Sequence, residues 1–449
     1  MAEVRRLTLT DGLLLAAVVL VAAGTRAGYL MSCANYGRGD GPLRVETAPP
    51  ELDALVGNLA TNWRFASPTP FGDQEQETAH VSPGYPWLMA LVGQAVDPAV
   101  LSSTMRWLQC GLGALTAGLY FLFARRVFQS LTVAVLAGLL CALHPFWILD
   151  TATLADGTAA AFLLALALFF GARASQTSGP LSSLLYGLAL AALALMRAAL
   201  LPFAFVSLGW FLLRSRTLTR GWLWGLLAFL GFIIGLAPWI VRNWQLYGEP
   251  VPIVDSTYYH LWVGNNPHAT GGPASEKALH EEPAEELAKL PQPRDRYARL
   301  GEQVRHEVYG HPAETVRRRS LAGLDFLFGE RWFTEGRLAD VADSGEPPNW
   351  LAWSYPVVLE STLLGMVLLG LLGWRWTYAW RFRAMPLSLA AIWVPLPYIL
   401  SHAEALSGPR LPFDGVLLCY AAFTLACLGP ARRVLWAGEQ ESGSETESR

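Results

Sequence analysis

Apolar blocks such as LLLAAVVLVAAGT, LTVAVLAGLLCAL and GLLAFLGFIIGLAPWI recur along this chain. Blocks near or above about 18 residues read as membrane spans. Of the 449 residues, 53% are hydrophobic and only 15% are charged, whereas soluble chains carry roughly a quarter charged residues. The polar surface needed to dissolve is missing. Length alone would suit two or three soluble domains, but the apolar blocks place the helices in one membrane bundle. The expected fold is an all-α polytopic membrane protein, a bundle of about ten transmembrane helices with extracytoplasmic loops.

Several classes are excluded early. A formal net charge of −3 offers nothing to a nucleic acid or other polyanion. Nearly all basic residues are arginine, Lys277 and Lys289 being the only lysines. Cys33, Cys110, Cys141, Cys419 and Cys427 show no CxxC spacing, so they read as small core residues rather than a zinc site or disulfide framework. No Walker, GxGxxG, HExxH or Ser-His-Asp signature stands in a supporting context, which argues against a nucleotide-sugar donor or ATP drive. The N-terminal MAEVRRLTLTDG and its apolar run resemble a signal peptide, yet the run continues to Met31, as in an uncleaved anchor.

Short cytoplasmic loops are enriched in Lys and Arg. Spans are expected near residues 11–31, 103–124, 130–149, 157–172, 181–199, 200–213, 221–241, 353–373, 384–401 and 411–428. Arg5 and Arg6, Arg125 and Arg126, Arg173, the group Arg214, Arg216 and Arg220, the group Arg375, Arg381 and Arg383, and Arg432 and Arg433 then all fall inside. Tyr85–Val96 would break this parity if it crossed; it is short, enters through SPGYP, and reads as re-entrant or interfacial. Arg317–Arg319 fall outside, in a loop of about 100 residues where the bias no longer applies.

This parity divides the chain into an N-terminal bundle, 1–242, with a first outer loop at 32–82 and a re-entrant segment at 83–97. An extracytoplasmic, partly helical segment follows at 243–350, then C-terminal spans at 351–428 and a disordered cytoplasmic tail at 429–449. Helical patterning runs from Ala278 to Leu290 and from Arg294 to Phe333, with YGHP (Tyr309–Pro312) splitting the latter.

Polar residues collect at the outer ends of the spans: His144, Asp150 and Asp156 in HPFWILDTATLADG, Arg197 in LMRAALLP, Arg242 in PWIVRNW, and His402, Glu404 and Arg410 in SHAEALSGPR. A charge at mid-membrane costs about 2.5–3.5 kcal/mol on insertion scales, so several at one depth point to a shared wet cavity. Each could instead flank a helix end and snorkel to water. Carboxylates that act as bases, beside Arg and His that neutralise phosphate, suit transfer from a lipid-phosphate donor. They equally suit transport of an anionic substrate, and residue chemistry does not separate the two.

Four stretches, in order, resemble the GT-C membrane glycosyltransferases, in particular the bacterial branch of lipid A aminoarabinose transferase and protein O-mannosyltransferase-like enzymes. ELDALVGNLATNWRFASP is similar to the first-loop pattern LAxNLxxGxGF that follows an acidic residue. HVSPGYPWLMALV resembles the PPxYPxLLAL turn, and PWIVRNWQLYGEPVPI with LWVGNNPHATGG resembles PWxxRNxxxFGxxVP and GNNPxATGG. SGPRLPFDGVLLCYAAF is similar to the closing RxxxPxxPxLxLLAA.

The resemblance implies a bacterial inner-membrane enzyme with its site on the periplasmic face. Its donor would be a polyprenyl-phosphate-linked sugar and its acceptor extracytoplasmic, attacked with inversion after a first-loop acid takes the nucleophile's proton. On this pattern Asp53 is the first choice for the base, then Glu51, Glu46 and Asp40, although Leu52 stands where the family carries tyrosine; without a carboxylate at the reaction centre the chain would be a non-catalytic relative. Asp156 matches a second acidic position, the alternative being a cap for the helix that begins at Gly157. Arg410 and Arg242 match the phosphate-binding arginines, and Arg197, His402 and His144 join the substrate-binding set. Asp73, Glu75 and Glu77 read as a solvated turn. No cofactor is specified, and the acidic loop permits a divalent ion or none.

Overall fold

The computed structural model describes residues 8–32, 50–68, 75–177, 179–269, 292–328, 378–401 and 410–428, with positions 286, 287, 289 and 290 between them. The chain opens with α1 (Leu9–Ser32), then α2 (Pro50–Asn62) and a two-residue hairpin, β1 (Ala66–Ser67) antiparallel to β2 (Gln76–Glu77). Next come α3 (Gly84–Gly93), α4 (Pro98–Phe128), α5 (Leu131–Leu143), α6 (Pro145–Leu149) and α7 (Gly157–Gln176). α8 (Pro180–Met196), α9 (Leu201–Ser215) and α10 (Gly221–Tyr247) complete the N-terminal bundle. α11 (Thr257–Asn265), α12 (Pro293–Gly310) and α13 (Pro312–Phe328) form the long loop segment, with the helix break falling at His311, inside YGHP. α14 (Tyr378–Trp393), α15 (Leu396–Leu400) and α16 (Leu411–Leu428) return to the bundle.

Among the described residues, five helices are long and apolar enough to cross a membrane: α1, α4, α7, the Ala198–Ser215 segment and α10. Three shorter apolar helices, Pro180–Met196, Ala384–Leu400 and Leu411–Cys427, pack among them. The molecule is thus an all-α polytopic membrane protein; the span expected at 353–373 lies outside the described residues. At about 1.5 Å per residue, the ten residues of α3 cover roughly half of a hydrocarbon core about 30 Å thick, too little to cross.

Two spans differ from the sequence expectation. The stretch expected as one helix over 130–149 breaks at His144 and bends by 51°. Proline disfavours helical backbone in the residue before it, and His144 accordingly sits at ψ 118 before Pro145. The boundary expected between residues 199 and 200 falls earlier, where Arg197 turns extended at φ −148.

Capping fixes other ends. Asp97 accepts the Ala99 amide at 2.8 Å with Pro98 in the first turn of α4, whose last turn carries Arg125 and Arg126. α8 and α10 approach through small residues: a Cβ on Gly231 would stand 2.6 Å from the Leu184 carbonyl, and one on Gly235 2.5 Å from Ala191. This Gly-xxx-Gly face lets two membrane helices pack backbone to backbone. One end of the bundle is tied by Asp11, which accepts Arg125 Nε at 2.8 Å. Arg26 lies fifteen residues further along α1, about 22 Å away at helical rise, toward the end where the other polar groups meet.

Candidate functional site

The segment from His144 to Thr158 is the hub of that polar end. α5 stops at His144 and α7 does not begin until Gly157, and past the short α6 the carbonyls of Thr151, Ala152 and Thr153 turn toward a neighbouring span. α4 answers them with two polar side chains on one face, three residues apart. Arg106 Nε donates to the Ala152 carbonyl at 2.8 Å, and Gln109 Nε2 donates to Thr151 and Thr153 at 3.0 and 2.7 Å. Gln109 Oε1 in turn accepts the Tyr85 hydroxyl of α3 at 2.6 Å. Asp150 accepts Thr158 Oγ1 at 2.8 Å.

On one side of the hub stands Asp156. It occupies the N-cap position of α7 but makes no side-chain cap bond. Its carboxylate instead receives the Arg197 guanidinium in a fork, Nε to Oδ2 at 2.7 Å and Nη2 to Oδ1, the strongest geometry for such a pair. The Arg197 side chain is 9% exposed and that of Asp156 27%, so the carboxylate is the more accessible partner. Tyr398 of α15 lies against the same guanidinium.

On the other side is a second acidic pair. Arg410 Nε donates to Asp414 Oδ1 at 2.7 Å and Nη1 to the Phe326 carbonyl at 3.2 Å. His144 Nε2 lies 3.7 Å from the other Asp414 oxygen. Trp147 Nε1 donates to the Leu411 carbonyl at 2.9 Å, joining this pair to the hub. Fully buried Arg26 reaches the same region without a carboxylate, donating to Ala22, Cys141 and Ala142 carbonyls at 3.0, 3.2 and 3.0 Å. The last two belong to the final turn of α5, where unpaired carbonyls and the helix dipole favour a cation.

Of the residues chosen from sequence, the structure thus brings Asp156, Arg197, His144, Asp150 and Arg410 to one end of the bundle. Asp53 is exposed on α2, on the flank adjoining the face through which Leu52 and Val56 pack against Tyr85 and Leu154. Arg242 stands elsewhere, near the end of α10 and against the first-loop hairpin. It donates to the Thr78 and Phe65 carbonyls at 2.8 and 3.1 Å and stacks 4.9 Å above Trp239. It thereby clamps the hairpin that Asn58 also closes, through a bond to the Ala66 carbonyl at 2.9 Å. Glu77, read as part of a solvated turn, pairs with Arg64 at 3.1 Å. His402, Glu404, Asp40, Glu46 and Asp73 lie outside the described residues, as does the Glu51 side chain.

Sequence reasoning passed over Arg26, Arg106, Gln109, Tyr85 and Asp414. An ionisable residue inside an apolar span is itself a functional signal, and Arg26, Arg106 and Asp414 each carried it. The loop segments meet at a different cluster. His80 Nδ1 shares a hydrogen with the Tyr297 hydroxyl at 2.6 Å, and Ser256 Oγ donates to the His80 carbonyl at 2.6 Å. Burial without a carboxylate pushes the His80 imidazolium down to about 4. Among the described residues, no group of three or more His, Cys, Asp or Glu is arranged to hold a metal ion.

These features define a multi-pass membrane protein whose ionisable groups gather at one end of a helical bundle. No family profile and no curated protein sequence matches the chain. Solved structures do. The chain is similar to the Archaeoglobus fulgidus oligosaccharyltransferase in its apo form, with a TM-score of 0.55 and 14% identity over 96% of this chain and 52% of that one. The same archaeal enzyme in complex with Zn and sulfate matches at TM-score 0.53 and 14% identity, over 94% of this chain and 50% of that one. Tethered by a disulfide to an acceptor peptide containing the NVT sequon, it matches at 0.52 and 14%, over 94% and 51%. The chain therefore spans about half the length of this archaeal enzyme and shares its fold.

Proposed function

We propose that this chain is a membrane glycosyltransferase that moves a sugar from a polyprenyl-phosphate carrier to an extracytoplasmic acceptor. It would reside in a bacterial inner membrane with its site on the periplasmic face. The observation that carries this reading is the meeting of Asp150, Asp156 and Asp414 with Arg26, Arg106, Arg197 and Arg410 at one end of a bundle with the oligosaccharyltransferase fold. The guanidiniums supply cations for a phosphate leaving group.

In the proposed step, the bond between the anomeric carbon and the carrier phosphate oxygen breaks, and the phosphate keeps the electron pair. The acceptor oxygen or nitrogen bonds to that carbon from the opposite face, and its proton passes to a first-loop carboxylate. Asp53 is assigned this role because it is exposed beside the hub and its helix packs onto it. Asp156, with both oxygens engaged by Arg197, is assigned to orient that arginine toward the departing phosphate. Arg410 is assigned beside it, with His144 holding Asp414; Arg242 is assigned to shape the first loop.

The test is transfer in proteoliposomes with polyprenyl-phosphate sugars. Asp53→Asn should lower the rate by about 100-fold or more, the usual effect of losing a general base, and Asp156→Asn by a smaller factor. Full activity in both variants would overturn the assignment. The break at His144 favours one rival, since discontinuous helices mark transporters. Transport would move the lipid-linked saccharide across the vesicle intact, and mass spectrometry of the product distinguishes that from transfer.

A further inference from the structure

On the far side of α3 from the hub lies a cleft of about 630 Å³, walled by Trp63, Phe65, Trp87 and Trp239 and edged by Glu77 and Arg242. This volume is that of a small-ligand site. Trp63 is the informative residue. It follows α2 with a left-handed backbone, φ 57, and is 58% exposed. That conformation after a helix belongs to glycine or asparagine, and a bulky residue there is an outlier that clusters at functional positions. The chain accepts the strain and hangs an indole over the cleft, 5.7 Å from the Trp87 ring and tilted 37° to it. Beneath, Phe65 and Trp239 meet edge to face at 4.9 Å.

From this geometry we infer that the cleft is a carbohydrate subsite for a neutral pyranoside. On the transferase reading above, on which this rests, the acceptor is then a saccharide. Charge decides among occupants. Both Arg242 Nη atoms are engaged by carbonyls, and the Arg64 charge beside the cleft is matched by Glu77, so an anion finds little to bind. An acyl or isoprenoid chain would desolvate Glu77 and Gln245 without replacing their hydrogen bonds. A pyranose has apolar C–H faces for the indoles and a hydroxyl rim for the carboxylate and amide. The position also fits. Leu195 lines the cleft two residues before Arg197, a Cβ on Gly84 would stand 2.5 Å from Met196 Cα, and Ser82 Oγ accepts the Ala198 amide at 2.9 Å. A saccharide seated there reaches the end of α8 that carries Arg197.

The experiment is saturation-transfer NMR on the full chain in lipid nanodiscs, with maltotriose, cellotriose and mannotriose as probes. At least one trisaccharide should receive saturation on its ring C–H protons. Trp63→Gly and Trp87→Ala should each reduce that signal at least fivefold, while Trp63→Gly leaves the unfolding midpoint unchanged or higher because glycine suits the backbone. Absence of any trisaccharide signal with folded protein overturns the inference, as does a signal indifferent to both variants. An indole that merely anchors at the membrane boundary would show Trp63-dependent quenching by brominated lipid and no sugar signal, which also overturns it. Saccharide binding without any transfer activity would leave the subsite standing and remove the transferase reading. Transfer that persists unchanged in Trp63→Gly would remove the subsite alone.

Discussion

Five buried or half-buried arginines fall into two groups by whether a carboxylate holds them, and the division separates what builds the fold from what a ligand can engage. Arg197 and Arg410 are held by carboxylates, Asp156 and Asp414. Arg26, Arg242 and Arg319 are held by backbone carbonyls: those of α5's last turn, of the hairpin, and of α11 and the end of α15. A carbonyl-held guanidinium satisfies orphan helix-end groups and keeps its charge. A carboxylate-held one is neutral as a pair, and an incoming phosphate can compete for it with equal charge and similar geometry. Arg319, outside the sidedness pattern of the basic loops, belongs to the first kind: its charge serves helix ends rather than orientation.

The largest expected effect tests the acidic pairs. Both members of the Arg410–Asp414 pair are below 10% exposed, so Asp414→Asn leaves a buried cation unmatched and should cost about 3–5 kcal/mol. Replacing both, as Arg410→Met with Asp414→Leu, should cost less than the single change. Unfolding midpoints in detergent measure the difference, and a silent Asp414→Asn would erase the distinction drawn between the two groups. Next in size is Arg242→Lys. A lysine cannot span two carbonyls in a fork, so the hairpin should loosen by about 2 kcal/mol, the scale of hydrogen bonds to a charged group. Hydrogen exchange over residues 65–68 and 75–79 should rise, with α4 unchanged as the internal control.

The same division explains what was legible beforehand. The spans of α1, α4, α7 and α10 were legible as apolar runs because burial in lipid leaves a one-dimensional trace. Asp156, Arg197, His144 and Arg410 were legible as polar residues at span ends, since chain parity alone puts them at one depth. Partners were not legible. Spacing says nothing about which carbonyl faces Arg242, so a residue matched to phosphate is found clamping Thr78 and Phe65. Nor did spacing reveal that α5 would stop at His144 and free the carbonyls that Arg106 and Gln109 collect. Arg106 and Gln109 sit within an apolar helix, and only the fold gives their polarity a target.

The smallest effect extends the comparison to a group that can lose its charge. His80, like Arg242, is held by neutral partners, here the Tyr297 hydroxyl, but imidazole responds to burial by staying unprotonated. Its value falls from an ordinary 6.5 to about 4, so in acid the unfolded chain takes up the proton first. Stability is intact above pH 6.5, falls as pH drops from there, and levels off below about 4. Between pH 6.5 and 5 the loss should be at most about 2 kcal/mol, from 1.36 kcal/mol per unit. His80→Asn, which cannot charge, should flatten that slope when unfolding is followed across the same window. An unchanged slope would mean that the contact between the first loop and α12 opens before the protein unfolds, making it a joint between the two loop segments rather than part of their common core.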